Sequence, residues 1–188
     1  ACTAMRAAAG TRDDVDIMNE LPTILVAYAS KHGSTREVAE AVATGLRERG
    51  WAVEATPAAD VDDVSRYAGA VLGTALYTGR AHPDARRLLK RHHAALAGMP
   101  FAVFAMGPRT SADEDIAGAR RQIDAALAHR PDVHPVAVAV FGGVIDPSGL
   151  HFPFSRMPAS DARDWDAIRA FADEVADAFA PAADRRAG

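Results

Sequence analysis

The 188 residues suffice for one well-filled domain and hardly for two. With 25 acidic against 21 basic side chains the formal net charge is −4, so no global basic footprint points to nucleic acid. Cys2 is the only cysteine, which excludes an intrachain disulfide, a cysteine-rich metal site and a CxxC redox pair, so any redox chemistry needs a bound cofactor.

Residues 1–21 read as a disordered N-terminal extension. The first 17 mix alanines with Arg12, Asp13, Asp14 and Asp16, offer no sustained apolar core for a secretory signal, and leave Met18 as an alternative start. Thr23–Ala29 is a near-continuous apolar run, the pattern of a strand covered on both faces. The loop Ser30–Thr35 combines three hydroxyls with Gly33 and opens a helix predicted over Ser34–Arg49. There Val38, Val42 and Leu46 recur every four residues, Ser34 and Glu37 have capping-box spacing, and Gly50 is the stop. Four N–H groups at such a helix start lack intrahelical partners, and the macrodipole adds roughly half a positive charge, so a phosphate suits it. Gly33 lets the backbone come close to such a group. The alternative is an ordinary capped helix after a turn.

Ala52–Thr56 is a weaker second strand, nearer an edge, and Val61–Tyr67 a short helical piece. The third strand is predicted over Ala68–Gly73, followed by a loop Thr74–His82 holding Tyr77, Gly79 and Arg80. Pro83 suits the first position of a helix, and Leu88, Leu89 and Leu96 give that helix an apolar face up to Gly98. Phe101–Met106 is the fourth strand. After the Gly107-Pro108 break, Ser111 and Glu114 repeat the capping-box spacing, and Ile116, Ile123 and Leu127 mark a helix ending before Pro131. The fifth strand is Pro135–Phe141. The run Val136–Ile145 is the longest apolar stretch and falls short of the roughly 20 residues that cross a bilayer. Asp146–Arg163, with Pro147, Gly149, Pro153 and Pro158 spaced among Phe152, Phe154 and Met157, reads as a loop without regular structure. The last helix opens near Asp164, with Trp165, Ile168, Ala172, Val175 and Phe179 at helical spacing, and 181–188 form a flexible tail.

Five apolar strands alternating with amphipathic helices predict an α/β fold with a parallel sheet covered on both faces and right-handed crossovers. Ligands of such sheets bind outside the carboxyl ends of the strands at the switch point, here between strands one and three, so loops 30–35, 74–82 and 107–112 matter. A dinucleotide site would show GxGxxG in the first loop, which has one glycine. A P-loop would show GxxxxGK[ST], which is absent. A phospho-receiver needs acidic side chains at the ends of strands one and three, where Ala29-Ser30 and Gly73-Thr74 stand. A hydroxyl-rich loop suited to a phosphomonoester remains, the flavodoxin type of site. No paired catalytic carboxylates or Ser-His-Asp order accompany these loops, and no metal site is predicted.

Tyr28–Ala39, reading Tyr-Ala-Ser-Lys-His-Gly-Ser-Thr-Arg-Glu-Val-Ala, resembles the FMN-phosphate loop of flavodoxins. It is more closely similar to that of the menaquinone-dependent protoporphyrinogen dehydrogenase family, which are flavodoxin-like FMN enzymes. The resemblance continues through Gly73–His82, Met99-Pro100 and Asp164-Trp165 with Phe171-Ala172, and spans nearly all of residues 22–180. Members of that family carry a longer basic and apolar insertion where this chain has Asp146–Arg163. The resemblance implies a flavodoxin-like three-layer sandwich over 22–180, with a five-stranded parallel sheet of order 2-1-3-4-5.

The cofactor implied is FMN. Ser30, Lys31, His32, Gly33, Ser34 and Thr35 would form its phosphate loop, Thr74, Ala75, Leu76, Tyr77, Thr78 and Gly79 the second flavin loop, and Met106, Gly107 and Pro108 the third. Tyr77 is the aromatic candidate for stacking on the ring or a partly exposed loop tyrosine. His32 either donates to the phosphate or caps loop backbone. Arg80, His82 and Arg109 are the catalytic candidates, cations that would stabilise negative charge on a reduced flavin. Arg86 and Arg87 either hold an acidic substrate or form a solvated helix face. His92 and His93 suit a helix end and need no functional role.

The function so implied is two-electron transfer between a small substrate, protoporphyrinogen IX of heme biosynthesis among the candidates, and a quinone-type acceptor. The alternatives are an electron carrier docking to redox proteins and a flavin-free interaction domain. The expected location is cytoplasmic, with membrane contact at most peripheral. Phe152 and Phe154 would cover the flavin edge, line a homodimer contact or touch the membrane surface.

Overall fold

In the computed structural model, which describes residues 22–77, 80–107, 113–145 and 159–184, the apolar run Thr23–Ala29 forms an interior strand, β1. Its side chains alternate between two cores, Ile24 and Val26 on one face and Leu25 and Ala27 on the other, none more than 1 % exposed. Strands β2 (Ala52–Pro57), β3 (Gly69–Tyr77), β5 (Phe101–Met106) and β6 (Ala137–Phe141) lie parallel to it in the order β2-β1-β3-β5-β6. A short β4 (Arg80–Ala81) folds back antiparallel on the end of β3. With that hairpin set aside, the order is the predicted 2-1-3-4-5.

Helices α1 (Ser34–Glu48) and α4 (Trp165–Asp184) cover one face, where Val38, Val42 and Leu46 meet Ile168, Phe171, Val175 and Phe179. The two helices come so close that a Cβ on Gly45 would lie 2.8 Å from the Ala172 methyl. Helices α2 (Pro83–Ala97) and α3 (Asp113–Ala128) cover the other face, with Leu88, Leu89, Leu96 and Ile123 in that core. A second sheet of two short strands, β7 (Val144–Ile145) and β8 (Ser160–Asp161), stands before α4.

The structure departs from the sequence-based expectations in several places, each with a local cause. Residues 61–67 form turns and no helix, because the Asp63 carboxylate accepts from both the Ser65 N–H (2.8 Å) and its hydroxyl, a side-chain substitute for helical bonding. Strand β3 continues four residues past Gly73, so most of the predicted second loop is strand. Gly73 reads as a break, but here its missing side chain makes room for the Phe104 ring. The segment 146–163 is not wholly loop, since Ser160 and Asp161 pair with Ile145 and Val144. Trp165 is 41 % exposed and lies outside the core stripe of α4, packed instead under the Arg163 guanidinium. Helix α4 also extends through Asp184, into the predicted tail. The 1–21 extension, Ser111 and the apolar anchors Phe152, Phe154 and Met157 lie outside the described residues.

Phe104 centres the aromatic packing of the α1/α4 core. Its ring meets Phe141 at 5.9 Å and Phe171 at 6.1 Å, and the latter two meet edge-on at 5.8 Å. Gly73→Ala puts a methyl into that ring, and overpacking of this kind costs about 1–3 kcal/mol. Urea denaturation should show this loss, and the double variant Gly73→Ala/Phe104→Leu should lose less than the sum of the two single changes.

Candidate functional site

The sheet register brings three strand ends to one level. Ala29 pairs with Thr74, and Ala75 pairs with Met106, so the segments after β1, β3 and β5 all open at the carboxyl edge of the sheet. This is the edge at which the loops 30–35, 74–82 and 107–112 are expected to meet.

The first loop turns through Gly33 at φ 90°, a left-handed conformation that a side chain would strain. The Ser30 hydroxyl accepts from the Gly33 N–H at 3.0 Å and closes the turn. Gly33 is itself the residue before the first helical turn, and its carbonyl accepts from Glu37 N–H at 3.1 Å. Ser34 therefore stands inside the helix, and the predicted Ser34/Glu37 capping box does not form. No side chain caps α1 at all. Its first-turn N–H groups, from Ser34, Thr35 and Arg36, have no acceptor within the helix. Thr35 is fully buried, and its hydroxyl oxygen finds no hydrogen-bond partner among the described residues. An orphaned buried hydroxyl costs about 1–3 kcal/mol, an arrangement that makes sense around a ligand which supplies the partner. A phosphate fits, since it offers acceptor oxygens to the N–H groups and to the Thr35 hydroxyl, at the positive end of the helix dipole. Lys31 and His32 stand exposed on the rim of the loop.

The second group of predicted contacts is held more firmly in the sheet. Thr74 and Ala75 are buried at 3 % and 6 % exposure, and the Thr74 hydroxyl is engaged between the Ala75 carbonyl and the His82 N–H, both at 3.1 Å. Leu76 is half-buried and lies over Gly107, where a Cβ would come within 2.9 Å of the Leu76 Cβ. Tyr77 ends β3 and pairs with Arg80, and the Arg80 side chain is exposed. His82 sits before the first turn of α2, where its Nδ1 accepts from the Asp84 N–H at 3.3 Å. The same nitrogen lies 3.5 Å from the Asp84 carboxylate. Met106 is buried at 2 %, and the Gly107 N–H bonds to the Phe141 carbonyl at 3.3 Å. Thr78, Gly79, Pro108 and Arg109 lie outside the described residues.

One cluster at this edge escapes the sequence reading. Arg163, with a side chain only 11 % exposed, holds Asp161 in a two-pronged pair and reaches Glu37 in the first turn of α1. It lies over the Trp165 ring at 4.8 Å, a cation–π contact. The guanidinium depresses the Asp161 carboxyl below its ordinary pKa of 3.8, and the Asp161 hydrogen bonds, with those of Glu37 behind them, raise the Arg163 pKa. A sequence signal exists in the alternation Asp161-Ala162-Arg163-Asp164-Trp165, but its partner Glu37 is 126 residues away. Among the described residues there is no group of three or more metal-ligating side chains, and no helix is long and apolar enough to cross a membrane.

Against protein-family models, residues 25–157 match the family described as Flavodoxin domain. No curated protein sequence matches the chain significantly. Among solved structures, a flavodoxin from Streptococcus pneumoniae TIGR4 is 22 % identical, with a TM-score of 0.56 over 82 % of this chain and 98 % of its own. A cysteine-to-serine mutant of flavodoxin from Pseudomonas aeruginosa is 19 % identical, with a TM-score of 0.57 over 84 % and 99 %. The flavodiiron protein from Giardia intestinalis is 12 % identical, with a TM-score of 0.58 over 87 % of this chain and 37 % of its own. At these identities the likeness is one of fold.

Thr35→Val keeps the shape and removes the orphaned oxygen. Urea denaturation should find the flavin-free protein about 1–2 kcal/mol more stable, whereas fluorescence titration should find FMN bound roughly tenfold to hundredfold more weakly. Tighter or unchanged FMN binding would remove Thr35 from the site. The Asp161 pair predicts a pH dependence. Because its carboxyl is depressed in the folded state, its contribution is complete above the ordinary 3.8 and is lost as pH falls through the depressed value. The stability gap between the parent and Asp161→Asn should thus stay constant at neutral pH and close as pH drops below 3.8, as followed by urea midpoints.

Proposed function

The chain belongs to the flavodoxin domain family, and we propose that it is an FMN-dependent oxidoreductase moving two electrons between a small anionic substrate and a quinone-type acceptor. FMN is the cofactor of this family, and the uncapped start of α1 with the Thr35 hydroxyl suits its phosphate. When bound, FMN supplies a centre that takes up two electrons and returns them, together or singly. The substrate loses two electrons and two protons, and the quinone gains both and leaves as the quinol.

The observation that carries this reading is a concentration of cations beside the second loop. Arg80 is exposed on β4, and α2 presents Arg86, Arg87, Lys90 and Arg91 with Asp84 as its one carboxylate. Between α2 and residues 58–61 runs a groove of about 440 Å3. Ala58, Val61 and Leu88 give it apolar walls, and Arg87, Lys90 and Arg91 line its helix side. Arg87 pairs with Asp84 at 2.6 Å and Arg91 more loosely with Asp62 at 3.8 Å, both at the surface where such pairs open readily. An apolar body bearing carboxylates is the ligand class that this combination takes, and a porphyrinogen belongs to that class. Arg80, together with Arg109, would favour negative charge on the reduced ring and so raise the two-electron potential.

A second reading, a one-electron carrier that docks to redox proteins, is favoured by the structural neighbours, two flavodoxins that align over 98–99 % of their own length with 82–84 % of this chain. Spectroelectrochemical titration separates the two. A stabilisation of 1.4 kcal/mol corresponds to about 30 mV for a two-electron couple, so Arg80→Gln/Arg109→Gln should lower the potential by tens of millivolts. A low-potential parent that reduces in two separate one-electron steps and ignores both substitutions would replace the enzyme by the carrier.

A further inference from the structure

We infer that Arg163 is a positioning residue that sets the preference for a phosphorylated flavin over its unphosphorylated form, by neutralising Glu37 beside the phosphate loop. The inference rests on the reading that the FMN phosphate occupies the start of α1. Glu37 stands four residues after Gly33, so both lie on one face of the helix, and a helical side chain leans toward the N-terminal end. Its carboxylate is thus directed at the turn where the dianionic phosphate would sit. Like charges there oppose each other, and the helix dipole alone offers only about half a charge in compensation.

Arg163 supplies the missing cation. Its Nη1 meets the Glu37 carboxylate, while Nε bonds to Asp161 at 2.9 Å and the ring of Trp165 lies beneath the guanidinium. Three contacts fix a side chain that is only 11 % exposed, whereas Lys31 and Arg36, the other cations of this loop, are solvent-exposed and screened. Because Arg163 belongs to the segment between β8 and α4, the same contacts tie that segment to the cofactor loop.

The test uses flavin-free protein titrated with FMN and with riboflavin, followed by flavin fluorescence. The parent should prefer FMN. Arg163→Gln should weaken FMN roughly threefold to tenfold, less at high salt, and leave riboflavin within about twofold, the modest size reflecting the solvent exposure of Glu37. Arg163→Lys should retain part of the preference. Glu37→Gln alone should tighten FMN, a gain that a damaged fold cannot produce, and Glu37→Gln/Arg163→Gln should recover most of what Arg163→Gln loses. Equal weakening of FMN and riboflavin in Arg163→Gln, or FMN binding indifferent to Glu37→Gln, would overturn the role of Arg163 while leaving the phosphate loop standing. Equal affinity of the parent for FMN and riboflavin would overturn the phosphate assignment and this inference together.

Discussion

A helix that begins without a cap is the constraint on which the rest of the structure depends. Helix caps of serine, threonine or aspartate are common because they satisfy otherwise idle N–H groups at little cost. The last helix here does so, with Asp164 accepting from both Asp166 and Ala167 N–H at 3.0 Å. At α1 the corresponding position is Gly33, which has no side chain to offer, and the Ser30 hydroxyl is spent on closing the turn. The first turn of α1 is left with donors aimed at the carboxyl edge of the sheet and a buried Thr35 hydroxyl among them. That costs stability locally, and the surrounding structure has to hold the turn in place.

It does so through close approaches that glycines permit. Gly45 lets α1 settle against Ala172 of α4, and Gly142 lets the Ala162 carbonyl of the segment before α4 come in against the end of β6. The Ala162 N–H then bonds to the Gly143 carbonyl at 3.1 Å and aligns β8 with β7. Arg163 follows at once and reaches the first turn of α1. The position of the loop before α1 is therefore fixed twice, by the buried stripe of α1 below it and by a polar strap beside it. The aromatic group of Phe104, Phe141 and Phe171 carries the packing between these two supports.

Much of this is legible in the sequence where a pattern is local. The bounds of β1 and β5 follow from unbroken apolar runs, and Gly50 at φ 88° ends α1 as its place after the arginines suggests. The sheet order follows from alternation of elements and the handedness of crossovers. What is not legible depends on distant partners. Gly73-Thr74 looks like the end of a strand until Phe104 is seen to need the space, and Thr74 looks like a loop hydroxyl until the returning His82 takes it up. Glu37 looks like half of a capping box, three residues after a serine, and its carboxylate goes instead to an arginine near the other end of the chain. His82 reads as part of a loop, whereas it stands directly before the first turn of α2 and bonds to it. In each case a short-range rule gives a sensible reading that tertiary contacts then displace.

Charge shows the same division between what a sum and a site can say. A net −4 speaks to long-range attraction and gives no global pull on a polyanion, but screening confines each surface charge to about 8 Å at physiological salt. Within that distance the chain contains opposite environments. Residues 60–63 gather Asp60, Asp62 and Asp63 around a neighbouring hollow, and α2 gathers Arg87, Lys90 and Arg91 along the groove. At the start of α1, Asp161 and Glu37 outnumber Arg163 by one charge, before any ligand is added. An acidic chain thus gathers cations along one groove and a small excess of carboxylates, partly offset by Arg163, at the start of α1. On the function proposed above, anion affinity would follow from the cations of α2 and from the start of α1 with Arg163 beside it, and local placement rather than overall composition would decide it.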